Sequence, residues 1–217
     1  MTAPAVGSRD EPPARGFLDV HQRATVEAAM ARMIPTDDAA GASEARTVDF
    51  VDRYLAGIDA IYAKPDGSGF ETLQGKQAWA WQQRVDSLRR TYAEGLDALD
   101  RLSRERHRED FVDLSEEDQD DVLHALENRT ASSLEAPALQ QTSSEADLEF
   151  VPLLATHTRQ GFYADPVYGG NRDRVGWDVI GFPGPSSLAE VHTGRYSVVD
   201  YFADERGHPS QEDDGDA

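Results

Sequence analysis

The residues best suited to catalysis are His157 and Asp165, which lie on either side of Arg159. An imidazole and a carboxylate brought together could act as a general base and its orienting partner, for example in a small enzyme that modifies carbohydrate. His157, however, falls on the apolar side of a predicted helix. Asp165 precedes a proline, a position where aspartate commonly holds a turn. A stand-alone enzyme that uses this pair is therefore the alternative hypothesis.

Other catalytic or cofactor sites are not indicated by the sequence. A serine nucleophile would require a Gly-x-Ser-x-Gly elbow, and Gly169-Gly170-Asn171 lacks the strand and helix that flank a dinucleotide-binding loop. Cysteine is absent, which excludes thiol catalysis and iron–sulfur ligation by this chain. We predict no catalytic, metal-binding or cofactor-binding residue. The histidines are scattered singly, without the second ligand at helical spacing that a zinc site needs: His21, His107, His124, His157, His192 and His208.

The most unusual part of the chain is residues 161–184, here called the aromatic segment. Glycines and prolines interrupt it throughout, so long regular structure is not expected there. Rings at this density must be buried, either against the chain's own helices or against another molecule. The segment is thus predicted to serve contact, not turnover. Its rings are Phe162, Tyr163, Tyr168, Trp177 and Phe182.

Charge and hydropathy limit the classes of partner. The 217 residues carry a net charge of −20, which disfavours nucleic acid and anionic membrane surfaces. No apolar run reaches the length of a membrane span, and residues 1–16 lack the hydrophobic core of a secretory signal. Arg89-Arg90 lies too deep in the chain to be a twin-arginine export signal. We predict a cytoplasmic protein, or a periplasmic one if a signal has been removed.

Hydrophobic periodicity predicts helices along most of the chain. The first is expected to begin at Asp19, with Gln22 completing a capping box, and to end before Pro35. The second starts near Ser43 and runs to Tyr62. The third covers residues 71–108, either as one helix or as two helices broken near Gly95.

The second half of the chain continues this pattern. A fourth helix follows the start signal Ser115-Glu-Glu-Asp, a linker covers residues 129–144, and a further helix covers residues 144–162. Residues 191–202 fit a short strand or an extended arm equally well. We predict an all-α fold, an irregular helical bundle with a long Gly/Pro/aromatic-rich loop and extended arms. Its organisation is a disordered leader (1–16), one helical domain (17–202) containing the loop (161–184), and an acidic disordered tail (203–217).

Several motifs together resemble the gluconate 2-dehydrogenase subunit 3 family. The longest is Tyr-Ala-Asp-Pro-Val-Tyr-Gly-Gly-Asn-Arg-Asp at 163–173, followed by Val-Gly-Trp at 175–177 and Ile-Gly-Phe-Pro-Gly at 180–184. Upstream, Gln-Arg-Ala-Thr-Val-Glu at 22–27, Ile-Pro-Thr-Asp at 34–37 and the Phe111 to Leu123 pattern agree as well. The resemblance covers most of residues 17–184.

The resemblance implies a non-catalytic small subunit. Such subunits bind a large FAD-dependent subunit of the glucose–methanol–choline (GMC) type, which oxidises a sugar, glycoside or polyol, and they support its folding and flavin loading. A heterodimer is expected, and the resemblance allows a multihaem cytochrome as a third component. FAD belongs to the partner, not to this chain. Whether the association is permanent, or that of a chaperone that leaves after loading, stays open.

The predicted contact residues come from the aromatic segment, because aromatic and arginine side chains carry much of the binding energy at interfaces. We expect them either to face the partner or to form the buried frame behind the partner-facing loop. For Trp177 and Phe162, packing in the chain's own core is an equal alternative. The predicted partner-binding residues are Tyr163, Tyr168, Arg172, Trp177 and Phe182. The predicted loop-structuring residues are Asp165, Pro166, Gly169, Gly170 and Asn171.

Overall fold

The computed structural model describes residues 16–66, 68–133 and 145–185, without the side chains of residues 130–133. The described residues form six α-helices and no strand, which confirms the all-α prediction. The predicted leader up to residue 15, residues 134–144 of the predicted linker, the arm at 191–202 and the acidic tail lie outside the described residues. The predicted beginning of the linker at residue 129 is wrong, because an α-helix continues to Ser133. The helices are α1 (Val20–Met33), α2 (Thr47–Ala56), α3 (Gly75–Arg106), α4 (Glu116–Ser133), α5 (Phe150–Tyr163) and α6 (Val175–Val179).

Helix α1 begins and ends where its sequence signals predict. The Asp19 carboxylate accepts from the Gln22 backbone N–H at 2.8 Å, and the Gln22 side chain accepts from the Asp19 N–H at 3.1 Å. This reciprocal pair is the predicted capping box. The helix ends at Met33, two residues before Pro35. Helix α4 likewise follows Ser115, whose hydroxyl accepts from the Asp118 N–H at 3.2 Å.

Helix α2 is shorter than predicted at both ends. It begins at Thr47, not near Ser43, because Arg46 takes a left-handed conformation (φ 52°) that an α-helix cannot include. It ends at Ala56, and Gly57 (φ 157°) leads into a short 3-10 turn at Ile58–Ala60, so the predicted extension to Tyr62 is wrong.

Helix α3 is one continuous helix of 32 residues, so the alternative of a break near Gly95 is wrong. Its beginning at Gly75 is four residues later than predicted. Gly95 is buried and faces the ring of Phe150 at the start of α5. A Cβ atom at residue 95 would lie 2.1 Å from Phe150 Cγ, so the glycine lets the two helices approach closely.

We therefore expect Gly95→Ala to destabilise the protein, although alanine is the better helix former. The clash with Phe150 should exceed the propensity gain and lower the free energy of unfolding by about 2 kcal/mol. Denaturant unfolding of Gly95→Ala, Phe150→Ala and the double variant measures this, because Phe150→Ala removes the Cγ and Cδ2 atoms nearest to the added Cβ. The two changes should couple, with the double variant more stable than the sum of the single effects. Additive effects would contradict the contact.

Helix α5 begins at Phe150, later than the predicted residue 144. Proline has no N–H, and its ring clashes with the carbonyl four residues earlier, so it is tolerated in the first turn of a helix but not in the interior. Pro152 occupies that first turn. Glu145–Asp147 forms a separate 3-10 turn before it.

The helices pack around one hydrophobic core. Helix α5 packs on α2 and on α1, α3 and α4, while α4 also packs against α3. Tyr92 and Phe111 are among the largest fully buried side chains. The end of α5 delivers the chain directly into the aromatic segment.

Candidate docking site

The aromatic segment is folded into short helical turns. Pro166–Tyr168 and Arg172–Arg174 are 3-10 turns, and α6 follows the second of them. The sequence predicts that long regular structure is interrupted here. It does not predict that the segment forms a series of short helical turns. Helix α6 packs on α5, and the first of the 3-10 turns packs on α2.

Asn171 holds the centre of the segment. Its side chain is completely buried, its Nδ2 donates to the Ala164 carbonyl at 2.8 Å, and its Oδ1 accepts from the Gly176 N–H at 2.8 Å. The next residue, Arg172, donates its backbone N–H to the Ala45 carbonyl just before α2, at 2.9 Å. One amide group thus connects the end of α5 to the beginning of α6. Asparagine also tolerates the left-handed backbone found here (φ 48°).

Asp165 and Pro166 form the first turn of the segment. The Asp165 carboxylate accepts from the Val167 N–H at 2.9 Å, the Asx-turn contact expected of an aspartate at this place. Gly169 ends the turn with a φ of 110°, a backbone conformation that residues other than glycine rarely adopt. Gly170 is buried against the backbone of Gly161. A Cβ atom at residue 170 would lie 2.2 Å from the Gly161 carbonyl oxygen.

The predicted contact residues divide into buried and exposed ones. Trp177 is 5% exposed and donates its indole N–H to the Tyr163 carbonyl at 2.7 Å, and Phe182 packs edge-on against it. Trp177 is therefore buried against the chain's own helix α5, and Phe162 is buried as well, at 1% exposed. Tyr163 is 42% exposed, Arg172 is exposed, and Tyr168 and Phe182 are half-buried.

Tyr163 and Tyr168 border a pocket of about 560 Å³, here called the ring pocket. The other rings in its wall are Phe50 and Tyr54 from α2 and Trp81 from α3. These residues lie far apart in the sequence, and Trp81 is on the exposed first turns of α3, so periodicity gave no sign that they meet. The polar residues of the pocket are Arg53, Arg84, Glu145 and Gln160.

Glu145 is the acidic residue that lines the ring pocket. One of its carboxylate oxygens accepts from the Tyr54 hydroxyl at 2.5 Å and from Arg84 Nη2 at 2.9 Å. Burial acts to raise the pKa of Glu145, but the contacts with His157, Tyr54 and Arg84 outweigh it and lower the pKa to about 2. Burial and the bond to Glu145 raise the pKa of Tyr54, which keeps its hydroxyl protonated as a donor.

Replacing Glu145 with glutamine should lower the free energy of unfolding at pH 7 by about 2 kcal/mol, because charge-assisted bonds are lost. A carboxylate whose pKa falls on folding stabilises the protein above its unfolded pKa. That stabilisation disappears as the pH falls through the folded pKa. The difference from wild type should therefore shrink between about pH 5 and pH 2.

Denaturant unfolding across this pH range measures the effect. Glu127→Gln, which changes an exposed carboxylate of α4, is the matched control and should alter stability by less than about 0.5 kcal/mol. A Glu145→Gln effect that is independent of pH would contradict the role of the buried charge.

His157 and Asp165, the pair of the alternative hypothesis, have separate partners. His157 is fully buried, shares a 2.9 Å hydrogen bond with the Tyr92 hydroxyl through Nδ1, and stacks on the Tyr92 ring. Its Nε2 lies 3.8 Å from the Glu145 carboxylate. Asp165 is used in the turn with Val167. The arrangement is that of a packed core histidine.

Two further described histidines each have an acidic partner. His21 lies 2.6 Å from Asp100, which raises the pKa of His21, and His107 lies 3.5 Å from Asp118. In the part of the chain that the structure describes, no group of three or more histidine, aspartate or glutamate side chains could hold a metal ion.

A model of one protein family, described as Gluconate 2-dehydrogenase subunit 3, matches residues 20–184. The match ends with the aromatic segment and includes every described helix. No curated protein and no solved structure matches the chain. Within the described ranges, no helix is long and apolar enough to cross a membrane.

Proposed function

We propose that this chain, which belongs to the gluconate 2-dehydrogenase subunit 3 family, is an accessory, non-catalytic subunit of a dehydrogenase complex. The observation that carries the proposal is the family match over residues 20–184, which extends through the long motif of the aromatic segment. The family was predicted from the same motifs, and that prediction is confirmed. The family's name describes a subunit of a dehydrogenase, and the subunit role comes to this chain by membership.

The partner we propose is a large FAD-dependent subunit of the GMC type that oxidises a sugar, glycoside or polyol. The resemblance of the motifs supports this choice, and a cytochrome could accept electrons from the same complex. The small subunit would bind the large one and stabilise it during folding and flavin loading. The flavin would be held by the large subunit alone.

The architecture of the aromatic segment is consistent with such a role. Asn171 and the buried Trp177 fix the segment to α5, so its exposed side chains are held in place before any partner binds. Preorganised contact residues lose less conformational entropy on association, which favours affinity. Of the segment's own rings, Tyr163 is the most exposed, at 42%.

Expression of a candidate GMC-type large subunit from the same source organism, with and without this chain, tests the stabilising role. We expect the soluble yield and the flavin content of the large subunit to rise when the chain is present. Equal yield and equal flavin content in both cases would contradict a stabilising role. Size-exclusion chromatography of the loaded enzyme distinguishes a permanent subunit from a chaperone that has left.

A further inference from the structure

We infer that the ring pocket receives a segment of the large subunit in which an aspartate or glutamate lies next to an apolar or aromatic side chain. This inference rests on the proposed function, which supplies the partner. It adds a contact site most of whose lining residues lie outside the aromatic segment in sequence. Only Tyr163 and Tyr168 of the residues predicted to contact the partner line the pocket.

The walls of the ring pocket favour an apolar side chain. Five aromatic rings surround about 560 Å³, which is within the range of sites that bury a small ligand or part of a peptide. Rings that line a concave site are typical binding hot spots, since a partner's side chain can be desolvated there on several sides. Trp81 contributes one wall, with its ring 5.8 Å from Tyr62 and under the guanidinium of Arg84 at 5.1 Å.

The charges of the pocket favour a carboxylate. Its Glu145 is already paired with Arg84 and accepts a hydrogen bond from the Tyr54 hydroxyl. Arg53 is exposed and donates to the Val167 carbonyl at 2.7 Å, and no carboxylate among the described residues lies within ion-pair distance of it. A chain with a net charge of −20 thus presents an arginine without an acidic partner beside a group of rings. A carboxylate of the partner could form an ion pair with Arg53, whereas Arg53 would repel a lysine or arginine placed beside it.

The position of the pocket links it to the proposed interface. Arg53 contacts Val167 inside the aromatic segment, and Tyr163 and Tyr168 belong to that segment. The pocket therefore opens beside the surface that we propose contacts the large subunit. One partner could contact the aromatic segment and also insert a side chain into the ring pocket.

A crosslinking experiment identifies the occupant. Because the chain contains no cysteine, Ala60→Cys introduces a unique thiol at the pocket wall that can carry a photoactivated crosslinker. In the complex with the large subunit, we expect a crosslink to a peptide of that subunit that contains an acidic residue beside an apolar one. A crosslink to a second copy of this chain, to its own residues, or to a peptide without that pattern would overturn the inference.

A competition experiment measures how much the pocket contributes. Wild-type and variant chains are co-expressed with a limiting, tagged large subunit, and their ratio in the purified complex is read by intact mass. We expect Trp81→Ala and Arg53→Glu each to be depleted about tenfold relative to wild type. The matched controls are Trp79→Ala, an exposed tryptophan of the same helix outside the pocket, and Arg90→Glu, which makes the same charge change elsewhere. Both controls should compete equally with wild type.

The outcomes separate this inference from the proposed function. If wild type enters the complex and the pocket variants compete equally with it, the inference is wrong and the proposed function stands. If the controls are depleted as strongly as the pocket variants, contact lies elsewhere on α3 or depends on net charge, and the inference is again wrong. If wild type itself does not enter the complex, the proposed function fails first. Thermal unfolding of each variant shows that depletion does not come from misfolding.

Discussion

Replacing Asn171 with alanine will lower the free energy of unfolding by about 3 kcal/mol, because a buried backbone N–H and a partly buried carbonyl lose their partners at once. The Ala164 carbonyl and the Gly176 N–H both bond to the Asn171 amide, and the site admits no solvent at that side chain. Alanine is also less suited than asparagine to the left-handed backbone of this position. Denaturant unfolding followed by circular dichroism measures the loss.

Arg172→Ala is the matched control for this prediction. Arg172 is the next residue along the chain, its side chain is exposed, and its hydrogen bond to Ala45 comes from the backbone. This variant should change stability by less than about 0.5 kcal/mol. An Asn171→Ala effect below about 1 kcal/mol would show that the segment is held by other contacts.

Replacing Gly176 with alanine should be at least as damaging, at about 3 kcal/mol. An added Cβ would lie 1.9 Å from the carbonyl oxygen of Phe162, and that atom belongs to the backbone of α5, so it cannot rotate away. Helix α6 would have to move off α5, which would also disturb the hydrogen bond between Trp177 and Tyr163. Quenching of tryptophan fluorescence, together with denaturant unfolding, measures both effects.

Gly181 provides the comparison within the same segment. Nothing lies within 4 Å of a Cβ built at this residue, but its φ is +64°. Gly181→Ala should therefore cost only the backbone strain, about 1 kcal/mol, without exposing Trp177. Equal stability of Gly176→Ala and Gly181→Ala would contradict the explanation that close packing of α6 on α5 requires glycine at residue 176.

Local signals predicted those parts of the fold that depend on local chemistry. The capping box at Asp19 and Gln22 and the Ser115 start signal both appear as hydrogen bonds. The boundaries that failed depend on backbone conformation or on packing. Arg46 takes a left-handed conformation that nothing in its residue type requires. Gly95 lies inside a continuous helix, where its glycine is explained by the close approach of the ring of Phe150, a residue distant in sequence.

The aromatic segment was recognised as the central feature, but the direction of its rings could not be read from the sequence. Trp177 is buried because its indole N–H reaches a carbonyl of α5, a contact fixed only when the segment folds back. The ring pocket was missed for the same reason. Trp81, Tyr54 and Glu145 come from three separate elements, and only tertiary packing brings them together.

The most direct test is to co-express the chain with a tagged copy of the proposed large flavoprotein subunit from the same source organism and to purify the complex by size exclusion. We predict that the chain remains with the large subunit in a constant ratio and that the complex shows flavin absorbance. The chain purified alone should show no flavin absorbance. If the large subunit is recovered without the chain, or if the chain alone binds flavin stoichiometrically, the account of an accessory subunit is wrong.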